Sequence, residues 1–227
     1  MVIGIMGAMP DEVEQLCAKL ANVTKESYGG VEYHTGTLAG KTAVVCCAGM
    51  GKANAAAATQ VLITKYGAEK IVFSGIAGNM TSKVTIGDVV IGKTVVYHDA
   101  ELSMICQSPP FLKEYAGDEA MVAAAEAAGA DAGVHCLAGR IATGDKFVGD
   151  TATKNAIAAQ CAPDCVEMEG AAVSQIAAKN GVPCVILRAM SDDADEAGRE
   201  KLVGTTFSIA GYIATATKIV ADLIARL

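Results

Sequence analysis

Two hydrophobic rhythms alternate along this chain. Short unbroken apolar runs that end in glycine or another small residue read as buried strands; longer stretches with apolar residues at helical spacing read as helices. "VIGIMGA", Val2 to Ala8, is a run of the first kind, and "DEVEQLCAKLA" after Pro10 is a stretch of the second, with proline suited to a helix's first turn. "YGGVEYHTGTLAGKTAVVCCAG" reads as a hairpin, Val31 to Leu38 and Thr42 to Ala48 about a turn at Ala39-Gly40. "GKANAAAATQVLITKYG" predicts a helix closed by glycine, and "EKIVFSGIAG" a buried strand entering a glycine turn. The strand region "TIGDVVIGKTVVYHDAEL", the helix "GDEAMVAAAEAAGA" and the strand "AGVHCLAGRIATGDKF" follow. A short helix, a strand and helix in "CVEMEGAAVSQIAAKNG", the strand "VPCVILRAMSDDAD" and a last helix from about Thr206 to Leu227 complete the chain.

Strands alternating with helices predict one three-layer α/β domain over residues 1–227, with ligands at the strand ends. Near-continuous apolar strands fit a sheet covered on both faces, and the hairpin makes that sheet mixed. No linker, repeat or low-complexity tract interrupts the pattern.

Composition narrows the function. The chain is 52% apolar, yet no apolar run reaches the length of a membrane span, so the surplus points to a core and a subunit interface. The formal charge is −7 and no cluster of Lys and Arg occurs, which sets nucleic acid aside. Eight cysteines lie in largely apolar surroundings with no CxxC and no Cys/His pair at zinc spacing, and the N-terminus lacks the basic region of a signal peptide. Reduced cysteines in a cytoplasmic protein are expected. "AGMGKANA" is no Walker A loop, because Cys46 stands where glycine is needed and Ala53 follows Lys52. As a dinucleotide fingerprint it lacks its third glycine, with Asn54 in that place.

The chemistry lies in carboxylates just past apolar strands: Asp11 and Glu12, the acids of "YHDAEL", Glu167 and Glu169, and "SDDADE" from Ser191. Asp11, Asp193, Asp195 and Glu196 have a sufficient reading as helix-start acids that complement the dipole. Together the clusters suggest a pocket that uses carboxylates for acid–base work. "DDAD" offers a metal too little support, since no second acidic or histidine cluster accompanies it.

In chain order, "GIMGAMPDEV", "AGMGKANAA", "SGIAG", "GDVVI…YHDAEL", "TGDKFV", "VEMEGAAV" and "LRAMSDDAD" resemble the 5′-methylthioadenosine/S-adenosylhomocysteine nucleosidases of the purine nucleoside phosphorylase superfamily. The resemblance implies one α/β domain around a mixed twisted sheet, a homodimer, a small nucleoside as substrate, and neither metal nor cofactor. It makes Glu12 the group that positions and deprotonates the attacking water, and Asp192 the acid at the purine's imidazole ring. Glu169 would accept hydrogen bonds from ribose hydroxyls, with Met168 against the sugar. Phe147 would stack on adenine and the backbone at Val148 would read its amino edge. Met9, Met50, Ala77, Gly78, Glu167, Arg188, Ser191, Leu102 and Phe207 complete the implied binding set, Phe207 closing over the substrate. Glu167 reads best as a helix-start carboxylate that shapes the site.

Phosphorylases of this type hold phosphate with arginines, several from the first half of the chain. The first arginine here is Arg140, so bidentate phosphate binding is not available from that half and hydrolysis is favoured. A phosphorylase of the same fold and a non-catalytic nucleoside binder are the alternatives; pure binding needs no water-activating Glu12. Two departures leave the 5′ substituent open between methylthio, homocysteinyl, deoxy and aminodeoxyfutalosine groups. Ile76 replaces the serine common in the family's glycine turn. The stretch "SMICQSPPF" is shorter than the family loop that crosses to the neighbouring subunit.

Overall fold

The computed structural model describes residues 1–203 and 210–227. Ten strands form one mixed sheet in the order β10-β6-β8-β9-β5-β1-β4-β3-β2, with β7 paired to β6. Here β1 is Val2–Gly7, β2 Ala21–Tyr28, β3 Val31–Leu38, β4 Lys41–Cys47 and β5 Lys70–Asn79. The second half supplies β6 Val89–Tyr97, β7 Tyr115–Ala116, β8 Cys136–Thr143, β9 Cys165–Glu167 and β10 Cys184–Asp192. The centre is parallel: β1 lies between β4 and β5, and β5 pairs with β10 from Ile71↔Cys184 onward. Because β10 also pairs antiparallel with β6, and β5 with β9, the strands β5, β9, β8, β6 and β10 close on themselves. A single-face open sheet could not bring the ends of β5, β9 and β10 together in this way.

Alternation along the buried strands feeds two cores. On β5, Ile71 and Phe73 face one core, which contains Ala55, Ala58 and Leu62 of α2 (Lys52–Thr64) and Ala171 to Val173 of α6 (Gly170–Asn180). Val72 faces the other. That core holds Val13 and Leu16 of α1 (Pro10–Ala18), Met121 of α4 (Glu119–Ala132) and Ile219 to Ile224 of α8 (Ala210–Arg226). The remaining helices are α3 (Leu102–Ile105), α5 (Thr151–Cys161) and α7 (Glu196–Val203). Mixed three-layer α/β architecture is therefore as expected.

Two details differ from the sequence reading. β2, "ANVTKESY", is exposed at every residue, so it carries no hydrophobic alternation, and its pairing with β3 alone makes it a strand. Helix α2 stops at Lys65 in right-handed geometry, and Gly67, φ +67°, turns the chain two residues later. The described part of the last helix begins at Ala210; its predicted start lies outside the described residues. The hairpin turn is as expected, with Ala39 (φ 51°) and Gly40 (φ 79°) both left-handed, as a tight turn between twisted strands demands.

Candidate active site

The carboxyl ends of β1, β5, β9 and β10 converge on a cavity of about 260 Å³, near the low end for small-molecule sites. Its wall includes Met9, Glu12, Met50, Ala77, Gly78 and Phe147, together with Glu167, Met168, Glu169, Arg188, Ser191 and Asp192. The structure thus brings together twelve of the residues singled out in the sequence. Val148 is buried and lines a recess of about 30 Å³ that shares Gly78, Phe147 and Asp192 with the main wall. Leu102 is not on the wall of this chain's cavity; it packs against the core beside β6. Phe207 lies outside the described residues.

Glu12 sits in the first turn of α1, where the helix start turns its side chain back onto the chain. Its Oε2 accepts from the amides of Ala8 (2.6 Å) and Met9 (3.0 Å), and its Oε1 from the amide of Ile76 (3.1 Å). Burial raises its pKa; the nearby Arg188 and the three amides oppose that rise. Gly75 is required here by close approach: a Cβ on it would stand 2.3 Å from Arg188 Nη1 and 2.6 Å from Glu12 Oε1.

Arg188, fully buried on β10, is the hub. Its Nη2 donates to Glu167 in a short contact and to Glu169 Oε2 at 3.1 Å, and its guanidinium lies 4.5 Å above the Phe73 ring. Glu167 also accepts from the amides of Glu169 (3.1 Å) and Gly170 (2.7 Å) and from the Thr143 hydroxyl. From the end of β9 it thus both receives the amides that open α6 and pairs with Arg188. Glu169 has fewer partners: among the described residues it accepts from Arg188 and from the Gly51 amide (2.8 Å). Burial pushes its carboxyl up to about 7, with Arg188 pulling it down and Glu167 pushing it up. Three buried carboxyls share one guanidinium, so whenever more than one is ionised the excess charge facing the cavity is negative, a field suited to a developing cation.

Asp192 ends β10. Its Oδ2 accepts from the Ser191 hydroxyl (2.7 Å) and its Oδ1 from the Ala194 amide (2.8 Å). Burial raises its pKa, which favours the protonated form an acid must hold. Gly78 lies against it: a Cβ there would sit 3.1 Å from Asp192 Oδ1. Glu12 and Asp192 therefore flank β5 at positions three residues apart, about 10 Å along a strand.

The remaining acids of "SDDADE" are occupied locally. Asp193 accepts from Asn79 Nδ2, Asp195 from the Gly198 amide, and Glu196 from the amide and hydroxyl of Thr151. Among the described residues no group of three or more His, Cys, Asp or Glu is placed to hold a metal. Of the four arginines, only Arg188 lines the cavity; Arg140 pairs with Glu114, and Arg226 with Asp131 and Asp222.

Sequence reasoning missed Ala8 and Val166 on the wall, and the Gly51 amide and Thr143 hydroxyl that serve the glutamates. Ala8 and Val166 are strand-end neighbours of residues it found. The amide and hydroxyl come from elements distant in sequence, and no local pattern marks them. Ile76 lines the cavity too, and its backbone serves the site: its amide donates to Glu12 and its carbonyl accepts from Arg188.

Residues 2–225 match the family described as the phosphorylase superfamily. A 5′-methylthioadenosine/S-adenosylhomocysteine nucleosidase of Shewanella halifaxensis is 38% identical over 204 residues, 86% of this chain and 87% of that one. The nucleosidase of that name from Neisseria meningitidis, solved with methylthio-immucillin-A, superposes with a TM-score of 0.92 at 32% identity, covering 100% of this chain and 99% of that one. A futalosine hydrolase of Helicobacter pylori superposes with a TM-score of 0.91 at 29% identity, covering 100% and 98%.

Proposed function

We propose a reaction for this chain from the premise that it belongs to the 5′-methylthioadenosine/S-adenosylhomocysteine nucleosidase family of the phosphorylase superfamily. It hydrolyses the N-glycosidic bond of 5′-methylthioadenosine, S-adenosylhomocysteine and related 5′-substituted adenosines, releasing adenine and the free sugar. The observation that carries this reading is the pair Glu12 and Asp192, both buried and facing one cavity from opposite ends of a strand segment.

Cleavage builds positive charge on the ribose and negative charge on the departing base. On this reading Asp192, whose pKa burial raises, donates to the imidazole nitrogen of adenine, with Ser191 and the Ala194 amide fixing its direction. Glu12, held by three amides, orients a water and takes its proton as the sugar cation forms. Each such transfer contributes roughly 10²–10⁴-fold. Glu169, with two partners among the described residues, accepts from ribose hydroxyls and its charge faces the cation; Met168 packs on the sugar. Phe147, 48% exposed at the mouth, stacks on adenine, and the Val148 backbone reads the base edge. No arginine other than Arg188 reaches the cavity, and Arg188 is committed to Glu167 and Glu169, which supports water over phosphate as nucleophile.

The likeness to a futalosine hydrolase, with Ile76 in the wall, keeps a larger 5′ group within the reading. All eight cysteines are unpaired, which supports a reducing, cytoplasmic setting, and no helix among the described residues is long and apolar enough to cross a membrane. Met104, Phe111 and Leu112, exposed after Leu102, support a dimer in which that segment is covered by a second copy.

The test is incubation with 5′-methylthioadenosine, with and without phosphate, and identification of the sugar. The expected product is free 5-methylthioribose at a rate phosphate does not change. Sugar 1-phosphate as main product assigns the chain to the phosphorylase branch instead.

A further inference from the structure

Beside the cavity lies a charged cluster to which the reaction above gives no role. Lys52 opens α2, directly after Gly51. Its Nζ donates to both oxygens of Asp99 (2.8 and 2.9 Å) and stands 3.4 Å from Asp145 Oδ2. Its own amide donates to Asp145 Oδ1 (2.9 Å), and the amide of Asp145 donates to Asp99 Oδ2 (2.8 Å). Each member of the triad thus meets the other two. The three residues follow three strands: Lys52 after β4 at the start of α2, Asp99 after β6 and Asp145 after β8.

These segments carry parts of the site. Met50 and Gly51 precede Lys52; Met50 lines the cavity, and among the described residues the Gly51 amide and Arg188 are the two groups that donate to the Glu169 carboxylate. Phe147 follows two residues after Asp145 and lines the opposite loop of the mouth. Gly51 has φ +92°, a conformation that leaves its amide free to turn toward Glu169, and a Cβ on it would stand 3.2 Å from Asp145 Oδ1. The triad is seated rather than loosely solvated. Lys52 and Asp99 side chains are 23% and 25% exposed, and Nζ lies 5.5 Å from the Tyr97 ring centre. Burial works against ionisation of Asp99, but Lys52 and the Asp145 amide hold its carboxyl below the ordinary value. The His98 ring wedges against Gly144, where a Cβ would meet it at 2.3 Å, so the backbone entering Asp145 has no slack.

We propose that Lys52, Asp99 and Asp145 are positioning residues of the nucleosidase site, a lock that holds the Gly51 amide on Glu169 and sets Met50 and Phe147 at the cavity mouth. The inference rests on the nucleosidase reading for its kinetic readout. It identifies no new contact with substrate. It assigns these three residues the job of keeping Glu169 ionised and the base-binding wall in register.

The charges make the lock separable from simple electrostatics. Glu169 is faced by Arg188 from β10, Glu167 from β9, Glu12 from α1 and the Gly51 amide from the start of α2. Of these, the amide lowers its pKa, so releasing the amide raises it. Lys52→Met removes a positive charge and Asp99→Ala a negative one. Acting through space, the two would move the titration of Glu169 in opposite directions. Acting through the lock, both release Gly51 and move it the same way, upward.

The experiment is the pH profile of kcat/KM for 5′-methylthioadenosine in wild type, Lys52→Met, Asp99→Ala and Lys52→Arg. The expected result is an acid limb displaced to higher pH in both lock-breaking variants. KM should rise by about ten-fold, short of the roughly 10²-fold that a 1 Å misplacement can cost. Lys52→Arg, which keeps the charge and the pairing to Asp99, should recover most of the loss. Limbs that move in opposite directions, or do not move, overturn the lock. Should Asp99→Ala fail to fold, Asp145→Asn, at a side chain 55% exposed, is read by the same criterion. A wild type that cleaves no adenosine overturns the reaction and not the lock. The lock is then read from hydrogen exchange at the Gly51 amide: faster exchange in both variants supports it, and unchanged exchange overturns it.

Discussion

Glu12, Glu169 and Asp192 are all buried carboxyls, yet their partners divide the work between them. Glu12 has three amides and Asp192 a hydroxyl and an amide, each arrangement fixing one orientation. Glu12→Gln is isosteric and can keep part of that set, so the fold and substrate binding should survive while kcat falls by ~10² or more, because an amide takes no proton from water. Asp192→Asn should slow adenine nucleosides similarly but spare a riboside with an activated leaving group such as p-nitrophenol. Equal slowing of both substrates, compared by initial rates, removes Asp192 from the role of leaving-group acid. The acid limb of kcat/KM belongs to Glu12 and Glu169 together, both raised by burial and the second also by the first. Since Glu169 titrates at about 7, kcat/KM should fall as pH drops through that value and its carboxylate gains a proton. Glu169→Gln removes a like charge beside Glu12 and should move the remaining limb to lower pH. A limb left in place would show that Glu169 does not set it.

At the scale of elements, β5 is the spine of the site. It pairs with β1 on one side and with β10 and β9 on the other; where a glycine turn was expected the strand continues to Asn79, and Gly75 and Gly78, lacking side chains, let those from α1 and β10 meet over its backbone. Gly75→Ala tests this. The strand itself tolerates alanine, since Gly75 has no left-handed φ. The added methyl would displace both Arg188 and Glu12, so kcat/KM should fall by roughly 10²-fold. The loss of stability should stay within the 1–3 kcal/mol of ordinary overpacking. Circular dichroism melts beside steady-state kinetics make the comparison; near-normal activity would mean that Arg188 and Glu12 need not sit where they do.

At the scale of the molecule, the apolar surplus is largely absorbed by the two cores, yet the segment after Leu102 leaves Met104 (63%), Phe111 (65%) and Leu112 (43%) exposed. Sedimentation at micromolar concentration should give about twice the 23.1 kDa chain mass. Phe111→Asp should shift the equilibrium toward monomer and raise KM if this segment walls the neighbour's cavity. A wild-type monomer with full activity removes the shared wall.

The alternation of apolar runs with helical spacing was enough to determine the three-layer α/β class, most elements and the strand ends at which the acids lie. Burial patterns are local, and they repeat with periods of two and about 3.6 residues. Motifs such as "VEMEG" and "MSDD" likewise carried the identity of the carboxylates, because each is a contiguous strand end. The polar strand β2 left no such trace, since only backbone pairing makes it a strand. Nor did the sequence show that one arginine, Arg188, would hold Glu167 and Glu169 while facing Glu12, or that the Gly51 amide would reach Glu169 across 118 residues. Arg188 reaches the glutamates because β10 pairs with β5, and Gly51 reaches Glu169 because β4, β1, β5 and β9 lie side by side in that order. Strand pairing brings together groups far apart in the chain, and their ionisation depends on burial and on one another, which only the tertiary structure decides.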